Sequence, residues 1–346
     1  MNICHVNLAS GYHGGENQTL LLIQQQIKLG YTLTVVANPK SPFFARVSEL
    51  PCRVIAAKHY LRQHQRAITQ TCDLIHVHEG RAIYWAWLQH KLHGIPYIVT
   101  RRIDNPLRKK WLSNQAYQHA SCLVGLSHEI ASRLREAYPT QNIQIIPSSP
   151  VIYPADASRV ATIKQQFDGQ FLVIHAANML KHKGFDVTLG AAKILATRSP
   201  HIHFALLGDG KERAQLEQQA ADLPNVSFMG KQSNMGDWFA AADLLVHPSY
   251  SEGLGSVILE AMGNGLPVIG AKAGGIPDII EHQESGLLIE PGDSLGLADA
   301  IDAIHNDTAL REKLVLGRDK KLHGFLIENT AQRYEQLYTD IMTSHP

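Results

Sequence analysis

The stretch HPSYSEGLGSVILEAMGNG, residues 247–265, decides how the rest of the chain is interpreted. It places Glu252 and Glu260 eight residues apart, and Gly253-Leu254-Gly255 follows the first glutamate directly. Each glycine in a helix costs roughly 0.5–1 kcal/mol relative to alanine, so a helix that serves only for packing would not begin with two of them. The glycines therefore indicate a loop whose bare backbone contacts something other than the protein core.

The segments around this loop indicate what it contacts. LLVHPS at 244–249 is typical of a buried strand, and SVILEAM at 256–262 begins a helix. The glycine loop then lies at a helix N-terminus, where free N–H groups and the helix dipole favour an anion. Glu260, one to two turns into the helix, reaches a neutral polyol such as a ribose diol, and Glu252 lies where a second polyol would bind. This arrangement predicts a nucleotide-diphosphate sugar as the ligand.

Both halves of the chain alternate unbroken apolar runs with amphipathic segments, a pattern typical of parallel strands covered by helices on both faces. The proline-rich and serine-rich segment IPSSPVIYPADAS at 146–158 separates the halves as a linker does. We therefore predict an α/β protein of two Rossmann-like doubly wound domains, 1–152 and 153–329, that face each other across a cleft. The predicted strands are 2–9, 32–38, 73–78, 96–101 and 122–127 in the first domain, and 171–178, 203–210, 226–230, 244–249 and 267–272 in the second.

Composition and charge limit the class of protein. The chain has 346 residues, of which 45% are hydrophobic and 18% charged, as in an ordinary globular protein of two domains. Residues 1–150 hold 16 Lys+Arg and 7 Asp+Glu (+9), whereas residues 151–346 hold 16 and 24 (−8), which together give the net charge of +1. The basic half predicts an anionic partner. The start lacks a signal-peptide pattern and no run approaches ~18 apolar residues, so we expect a cytoplasmic protein with four free cysteines.

Two further turns follow predicted strands and are candidates for ligand contact. Gly14 and Gly15 follow the first strand, where bare backbone lets a ligand approach, although a plain tight turn explains them equally well. In ANMLKHKGFD, residues 177–186, Lys181 and Lys183 precede Gly184. Cations at a strand-to-helix turn suit a phosphate, although lysines in a loop are usually only solvated.

Two motifs in the basic half leave their alternatives open. In HVHEG at 76–80, two histidines and a glutamate form a poor zinc site by themselves, so a metal is disfavoured. An acceptor-side polar contact and structural histidines remain as interpretations of this motif. In NPLRKKWLS at 105–113, basic residues precede Trp111, which suits an anionic membrane, a phosphorylated acceptor or a solvated helix start.

The E-x7-E spacing of Glu252 and Glu260, together with GGIP at 274–277 and SGLLIEPGD at 285–293, resembles the retaining glycosyltransferases of family 4, which have the GT-B fold. The likeness covers essentially the whole chain and is strongest over 171–293. It implies a hexosyltransferase-like enzyme that uses a nucleotide-diphosphate sugar, with UDP as the expected nucleotide. No D-x-D triplet occurs, which agrees with the metal-independent chemistry of the family. We therefore expect no metal and no cofactor.

The resemblance also implies roles for individual residues. Glu260 would hold the ribose hydroxyls, Glu252 would hydrogen-bond the transferred sugar, and Lys183 would neutralise the leaving diphosphate. The remaining donor-binding positions are Gly14, Gly15, Asn178, Gly208, Met229, Gly230, Gly253, Leu254 and Gly255.

The sequence departs from the family pattern at two places. Asn178 stands five residues before Lys183, where family members usually have arginine, and IVTRRIDNP at 98–106 has arginines where an active-site histidine often follows the strand. Our hypothesis is that one of these arginines, Arg101 or Arg102, reaches into the cleft and supplies the missing charge, with Arg101 as the candidate catalytic residue. Arg102 joins His78 and Glu79 on the acceptor side. The alternative is that both arginines are solvated.

These patterns predict transfer of a sugar to a bacterial envelope glycan such as lipopolysaccharide core, at the cytoplasmic face of the inner membrane. The contrasting hypothesis is a catalytically silent sugar-nucleotide-binding partner of a glycan synthase complex, motivated by Asn178. An NAD-dependent dehydrogenase would need GxGxxG after the first strand, where this chain has SGYHGGEN instead, so that class is disfavoured. Nucleic-acid binding is disfavoured as well, because the basic half contains no recognition motif for it. By analogy with GT-B proteins, the tail helix at 330–346 is expected to pack back on the first domain.

Overall fold

The computed structural model describes residues 1–103 and 110–344. The chain divides into two compact units. Unit 1 comprises Met1–Ser149 and the tail from Phe325 onward, and unit 2 comprises Pro150–Gly324. The division follows Ser149 rather than residue 152, inside the proline-rich linker, and the chain returns to unit 1 at Phe325 rather than at 330.

Unit 1 is built on a parallel seven-stranded sheet with the order β3-β2-β1-β4-β5-β6-β7. Its strands are β1 (Asn2–Asn7), β2 (Thr32–Ala37), β3 (Arg53–Ala56), β4 (Leu74–Val77), β5 (Tyr97–Arg101), β6 (Cys122–Gly125) and β7 (Ile143–Ile145). Its helices in the described residues are α1 (Gly14–Lys28), α2 (Pro42–Ser48), α3 (Arg66–Thr69), α4 (Ala82–His93), α5 (Trp111–Gln118), α6 (His128–Ala137) and, from the tail, α15 (Ile327–Ser344).

The tail helix α15 is part of the core of unit 1. Its buried residues Tyr334, Leu337 and Tyr338 belong to the same hydrophobic cluster as Ile3 of β1 and Ile23 of α1. Such burial contributes about 25 cal/mol for each Å² of apolar surface removed from water, so the tail adds stability to the first sheet. The sequence of unit 1 is therefore discontinuous along the chain.

Unit 2 repeats the plan with a parallel six-stranded sheet in the order β10-β9-β8-β11-β12-β13. The strands are β8 (Phe171–Ala176), β9 (Ile202–Leu207), β10 (Val226–Gly230), β11 (Leu244–His247), β12 (Val268–Ala271) and β13 (Leu287–Ile289). The helices are α7 (Ala157–Gln166), α8 (Phe185–Arg198), α9 (Arg213–Gln219), α10 (Met235–Ala241), α11 (Ser256–Gly263), α12 (Ile276–Ile279), α13 (Ser294–Asn306) and α14 (Thr308–His323).

The ten strands predicted from apolar runs are all present, and three short ones were missed. β3, β7 and β13 have four, three and three residues, and each lies at an edge of its sheet. An edge strand packs less of its surface than a central one, so RVIA and IQI carry polar residues and lack the continuous apolar run that marks a buried parallel strand. None of the described helices is both long and apolar enough to cross a membrane.

Candidate active site

The loops that follow β8, β9 and β11 meet at the carboxyl edge of the sheet in unit 2. Asn178 follows β8, Gly208 follows β9 and Glu260 lies on α11, and all three line one cavity of about 250 Å³. In open parallel sheets, ligands bind outside the carboxyl ends of the strands, because the loops and helix N-termini converge there. The structure therefore brings together three residues that are up to 82 positions apart in the sequence (178 and 260).

Glu260 is the carboxylate of this cavity. Removal of its side chain from water raises its pKa to about 7, although a hydrogen bond from Tyr153 acts in the opposite direction. No ion pair of Glu260 occurs among the described residues, and a partly desolvated carboxylate without one is a strong hydrogen-bond acceptor for neutral hydroxyls. This environment suits the polyol contact predicted for Glu260.

Glu252 lies in a different electrostatic environment. Its Oε2 accepts hydrogen bonds from Lys183 Nζ at 2.6 Å and from His247 Nε2 at 2.8 Å. Burial alone raises the pKa of Glu252, but the hydrogen bonds and charges of His247 and Lys183 outweigh it and lower the pKa to about 2. Glu252 is therefore ionised at neutral pH and held through one oxygen.

The contact between Lys183 and Glu252 depends on two loops that are hydrogen-bonded to each other. The amide of Tyr250 donates to the carbonyl of His182 at 2.8 Å, and the hydroxyl of Ser249 donates to the same carbonyl at 2.8 Å. Gly184 has φ +73°, and a Cβ there would lie 1.9 Å from the carbonyl oxygen of Pro248. The lysine loop can approach the loop after β11 this closely only because residue 184 has no side chain.

His247 is a residue of this candidate site that the sequence pattern does not single out. It ends β11, is 1% exposed and donates a hydrogen bond to Glu252, whereas the pattern predicts only a residue of a buried strand. The available signal was a polar residue at the end of an apolar run, five positions before a predicted site glutamate. Met229 and Gly230, in contrast, lie beside the cavity without lining it, and Gly230 accepts a hydrogen bond from the amide of Gly208 at 2.8 Å.

Gly274 of the GGIP motif packs against the backbone of the Glu252 loop. It has φ +54°, and a Cβ at this position would lie 1.9 Å from the carbonyl oxygen of Glu252. The amide of Gly275 donates to that same oxygen at 2.9 Å. The two glycines therefore fix the backbone that carries the site glutamate.

The Gly274→Ala variant is expected to lose about 1–3 kcal/mol in the free energy of unfolding, since both the φ angle and the close approach become unfavourable. Urea unfolding would measure the loss. Gly324→Ala is the control in the same unit, because Gly324 has φ −69° and its nearest heavy atom would lie 3.6 Å from a Cβ. Equal effects of the two substitutions would contradict a role of Gly274 in holding the Glu252 loop.

The predicted residues of unit 1 lie at the carboxyl edge of its own sheet. Gly14 and Gly15 begin α1, and a Cβ on Gly15 would lie 3.2 Å from the side chain of Arg102, while no atom lies within 4 Å of one on Gly14. Arg102 donates to Ser148 Oγ at 3.3 Å and to His78 Nδ1 at 3.4 Å. The structure thus places Gly15, but not Gly14, against the side chain of Arg102. Arg101 contacts Tyr117 Oη at 3.4 Å instead.

The carboxylate of Glu79, which the sequence suggested as an acceptor-side contact, is engaged by the protein's own backbone. It accepts hydrogen bonds from three backbone amides, those of Leu8 at 3.2 Å and of Arg81 and Ala82 at 2.7 Å each. Glu79 therefore fixes the start of α4 and the end of β1. Carboxylates satisfied by backbone N–H groups stabilise a local fold, and these contacts favour a structural role for Glu79.

The histidines of HVHEG are also structural. His76 and His78 form a cluster with His5 in which the candidate ligand atoms lie within 4.8 Å of one another. All six ring nitrogens have hydrogen-bond partners within the protein. A metal would have to replace those bonds beside the cation of Arg102, so the donor set does not fit one. His78 is 3% exposed and contacts Arg102 rather than solvent, which argues against the direct acceptor contact predicted for it.

The basic segment considered for membrane contact is only partly described. Residues 104–109, including Arg108 and Lys109, lie outside the described residues. Lys110 is exposed, and Trp111, the first residue of α5, is 72% exposed. The membrane contact therefore stays a prediction.

Models of known protein families match residues in both units of the chain. The family model described as "Glycosyl transferases group 1" matches residues 160–317, and "Glycosyltransferase Family 4" matches residues 12–149. The chain is 30% identical to the lipopolysaccharide core biosynthesis glycosyltransferase LpsE of Rhizobium meliloti over 69% of this chain and 68% of that protein. It is also 30% identical to the N-acetyl-alpha-D-glucosaminyl L-malate synthase of Bacillus anthracis over 65% of this chain, and there the match spans only 61% of the relative's length.

The fold recurs in the crystal structure of Anabaena HepE in complex with UDP-glucose. The TM-score is 0.81 at 23% sequence identity, and the match covers 98% of this chain and 100% of HepE. This likeness confirms the predicted GT-B fold.

Proposed function

The chain belongs to the family 4 glycosyltransferases of the GT-B fold, and we propose that it transfers a hexose from UDP-hexose to a glycan acceptor with retention of anomeric configuration. The observation that carries this proposal is the Lys183–Glu252–His247 contact next to the glycine loop, with Glu260 in the adjacent cavity. UDP is proposed as the nucleotide because HepE, a structure of similar fold, is described in complex with UDP-glucose.

In the proposed mechanism the donor diphosphate lies against Gly253 to Gly255 at the N-terminus of α11. The N–H groups of that helix start and the ammonium of Lys183 stabilise the negative charge that develops on the leaving diphosphate. No metal is required for this charge stabilisation. Glu252, fixed through Oε2, presents its other oxygen to the transferred sugar, and Glu260 accepts hydrogen bonds from the ribose hydroxyls. Arg101 is the proposed source of additional positive charge in place of the arginine that Asn178 replaces.

The acceptor hydroxyl then attacks from the face that the diphosphate leaves, and the departing phosphate oxygen takes up the hydroxyl proton. The new glycosidic bond forms on the side where the old one breaks, so the anomeric configuration is retained. This step uses the leaving group itself as the base, which agrees with a Glu252 that is already ionised and paired.

For the acceptor we propose an anionic envelope glycan or glycolipid such as lipopolysaccharide core, used at the cytoplasmic face of the inner membrane. The similarity to LpsE and the charge of +9 over residues 1–150 support this class. The relative from Bacillus anthracis is named for a malate acceptor, so similarity alone leaves the acceptor open. Both acceptors are anionic, and the positive charge of residues 1–150 supports an anionic acceptor more directly than it supports either individual acceptor.

A thermal-shift panel with UDP, GDP, ADP and CMP tests the donor class. UDP at 100 times its Kd is expected to stabilise the native state by about 2.7 kcal/mol, because a ligand that binds only the native state shifts unfolding by mass action. The other nucleotides at equal concentration are expected to produce smaller shifts. A panel in which UDP has no effect would contradict the proposed donor.

The alternative function is a catalytically silent sugar-nucleotide-binding partner of a glycan synthase complex, motivated by Asn178. Against it, the contact with Glu252 holds the cation of Lys183 beside the glycine loop, where it could neutralise a leaving diphosphate, and Glu260 lines a cavity. Silent partners need not keep such a cation in place. Transfer or donor hydrolysis by the isolated chain distinguishes the two.

A further inference from the structure

Each partner in the contact between Lys183 and Glu252 is supported by a buried histidine of the sheet in unit 2. His247, at the end of β11, donates to Glu252. His175, in the neighbouring strand β8, is fully buried and contacts the segment that carries Lys183. The donor chemistry proposed above uses His247 only through Glu252 and gives no role to His175.

His175 contacts the start of α8 through its ring face and through one ring nitrogen. The ring stacks on that of Phe185, with centroids 3.8 Å apart and an interplanar angle of 7°. Nδ1 lies 2.9 Å from Oγ1 of Thr188, which is also fully buried. Phe185 directly follows Gly184, so these two contacts fix α8 at the point where the chain enters it.

The start of α8 in turn fixes the lysine loop, residues 181–184. The carbonyl of Gly184 accepts hydrogen bonds from the amide of Thr188 at 3.1 Å and from its hydroxyl at 3.4 Å. One peptide bond joins Gly184 to Lys183, and a peptide unit is rigid and planar, so a shift of Gly184 displaces Lys183 as well. A continuous set of contacts therefore leads from the ring of His175 to the backbone of Lys183.

His175 acts on this loop through position and not through charge. Burial lowers the pKa of His175 well below its usual value, the neighbouring His247 and Lys183 act in the same direction, and the backbone of Lys183 acts in the opposite one. The ring is therefore neutral at pH 7. A neutral side chain in its place leaves the charge of the site unchanged, so a loss of turnover would report a change in geometry.

His203 of β9 offers a comparison with a buried histidine that has no contact to the lysine loop. It is 8% exposed, its Nε2 lies 2.8 Å from Ser227 Oγ, and its ring lies near that of Phe167, with centroids 5.0 Å apart. The strand register pairs it with Leu172, three positions before His175, and so further from the carboxyl edge of the sheet. His203 therefore matches His175 in burial and in kinds of partner but not in place.

We propose that His175 is a positioning residue of the donor site. It holds the lysine loop at the place where Lys183 reaches Glu252 and the leaving diphosphate. This inference rests on the proposed function, in which Lys183 stabilises the negative charge that develops on the diphosphate. Such positioning affects turnover strongly, because a misplacement of about 1 Å caused from outside the reacting groups can lower a rate about 10²-fold.

A double-mutant cycle of His175→Leu and Lys183→Ala in the full chain tests the proposal, with kcat for UDP release from the UDP-sugar that wild type uses as the readout. His175→Leu is expected to lower kcat about tenfold in the wild-type background but less than about twofold in Lys183→Ala, because a residue that acts through the lysine then has nothing left to position. The KM for the UDP-sugar is expected to change less than about threefold, since the affected interaction strengthens in the transition state.

His203→Leu is the control for the loss of a buried strand histidine. It is expected to lower the free energy of unfolding and to leave kcat within about twofold of wild type. Should His175→Leu not fold, Thr188→Val replaces it, because valine keeps the shape of threonine and removes the hydroxyl next to the ring. The expected loss in kcat is then about threefold, and it should again disappear in Lys183→Ala.

Three results would overturn the inference: a wild-type kcat in His175→Leu, a loss that is equally large in the Lys183→Ala background, or an equal loss in His203→Leu. The single variant Lys183→Ala tests the proposed function instead. Wild-type turnover in that variant would contradict the role of the lysine and remove the premise of this inference. Failure of the donor proposal is thus seen in a variant in which His175 is unchanged.

Discussion

The Lys183→Ala variant is expected to lower kcat by a factor of about 10²–10³, the loss typical when one preorganised donor to a developing negative charge is removed. Lys183 lies 2.6 Å from Glu252, and the hydrogen bonds between the lysine loop and the loop after β11 hold it next to the glycine turn at the start of α11. The substitution removes the cation from the leaving diphosphate and leaves Glu252 with His247 as its side-chain partner among the described residues. Steady-state kinetics with saturating donor would measure the loss.

Lys181→Ala is the matched control for this prediction. Lys181 belongs to the same short turn but is exposed, and it has no recorded ion pair in the described part of the chain. Its removal changes the charge of the loop equally and is expected to alter kcat by less than about threefold. Similar losses in the two variants would mean that loop charge in general, rather than Lys183 at Glu252, supports turnover.

The Glu260→Ala variant is expected to weaken UDP binding by a factor of about 10–100, which corresponds to the ~1.5–3 kcal/mol typical of hydrogen bonds to a charged group. Calorimetric titration of UDP would measure it. Glu260→Gln keeps the shape and one acceptor oxygen, so an intermediate affinity is expected. A variant that binds UDP as wild type does would remove Glu260 from the donor site.

The pKa of Glu260 adds a pH dependence to the same titration. The carboxyl has a pKa of about 7 in the free protein, and hydroxyl donors favour its ionised form, so the pKa falls in the complex. The affinity of wild type for UDP is therefore expected to decrease as the pH falls below 7, by at most tenfold per pH unit. In Glu260→Gln this dependence should disappear, apart from the titration of UDP itself. A wild-type affinity that is flat between pH 8 and 6 would contradict the role.

The sequence was sufficient to predict ten of the thirteen strands that form the sheets of the described residues. It singles out Glu252, Glu260 and Lys183 as candidate site residues because bare backbone, charge and strand ends coincide at them, and their roles stay predictions. The environments of the two glutamates could not be predicted, because the pKa values of about 2 and about 7 arise from His247 and from desolvation, which are contacts between distant segments. His247 itself looks like any residue at the end of a strand.

Unit 1 illustrates the opposite error. His78 and Glu79 follow a strand and carry functional groups, so the sequence suggests contact with a substrate. In the structure, three backbone amides satisfy Glu79, and the two ring nitrogens of His78 are satisfied by His5, 73 positions away along the chain, and by Arg102. Sequence spacing places side chains at a sheet edge, but only the fold shows which of them the protein already uses for itself.

The measurement that tests the central claim most directly is UDP release by the purified full chain supplied with UDP-glucose, UDP-galactose or UDP-N-acetylglucosamine, compared with its Glu252→Gln variant. We predict that wild type releases UDP from one of these donors faster than the uncatalysed reaction and that the variant is at least tenfold slower. If wild type binds UDP but releases none from any donor, with or without anionic glycan acceptors, the chain is not the proposed transferase and the silent-partner function becomes the better account.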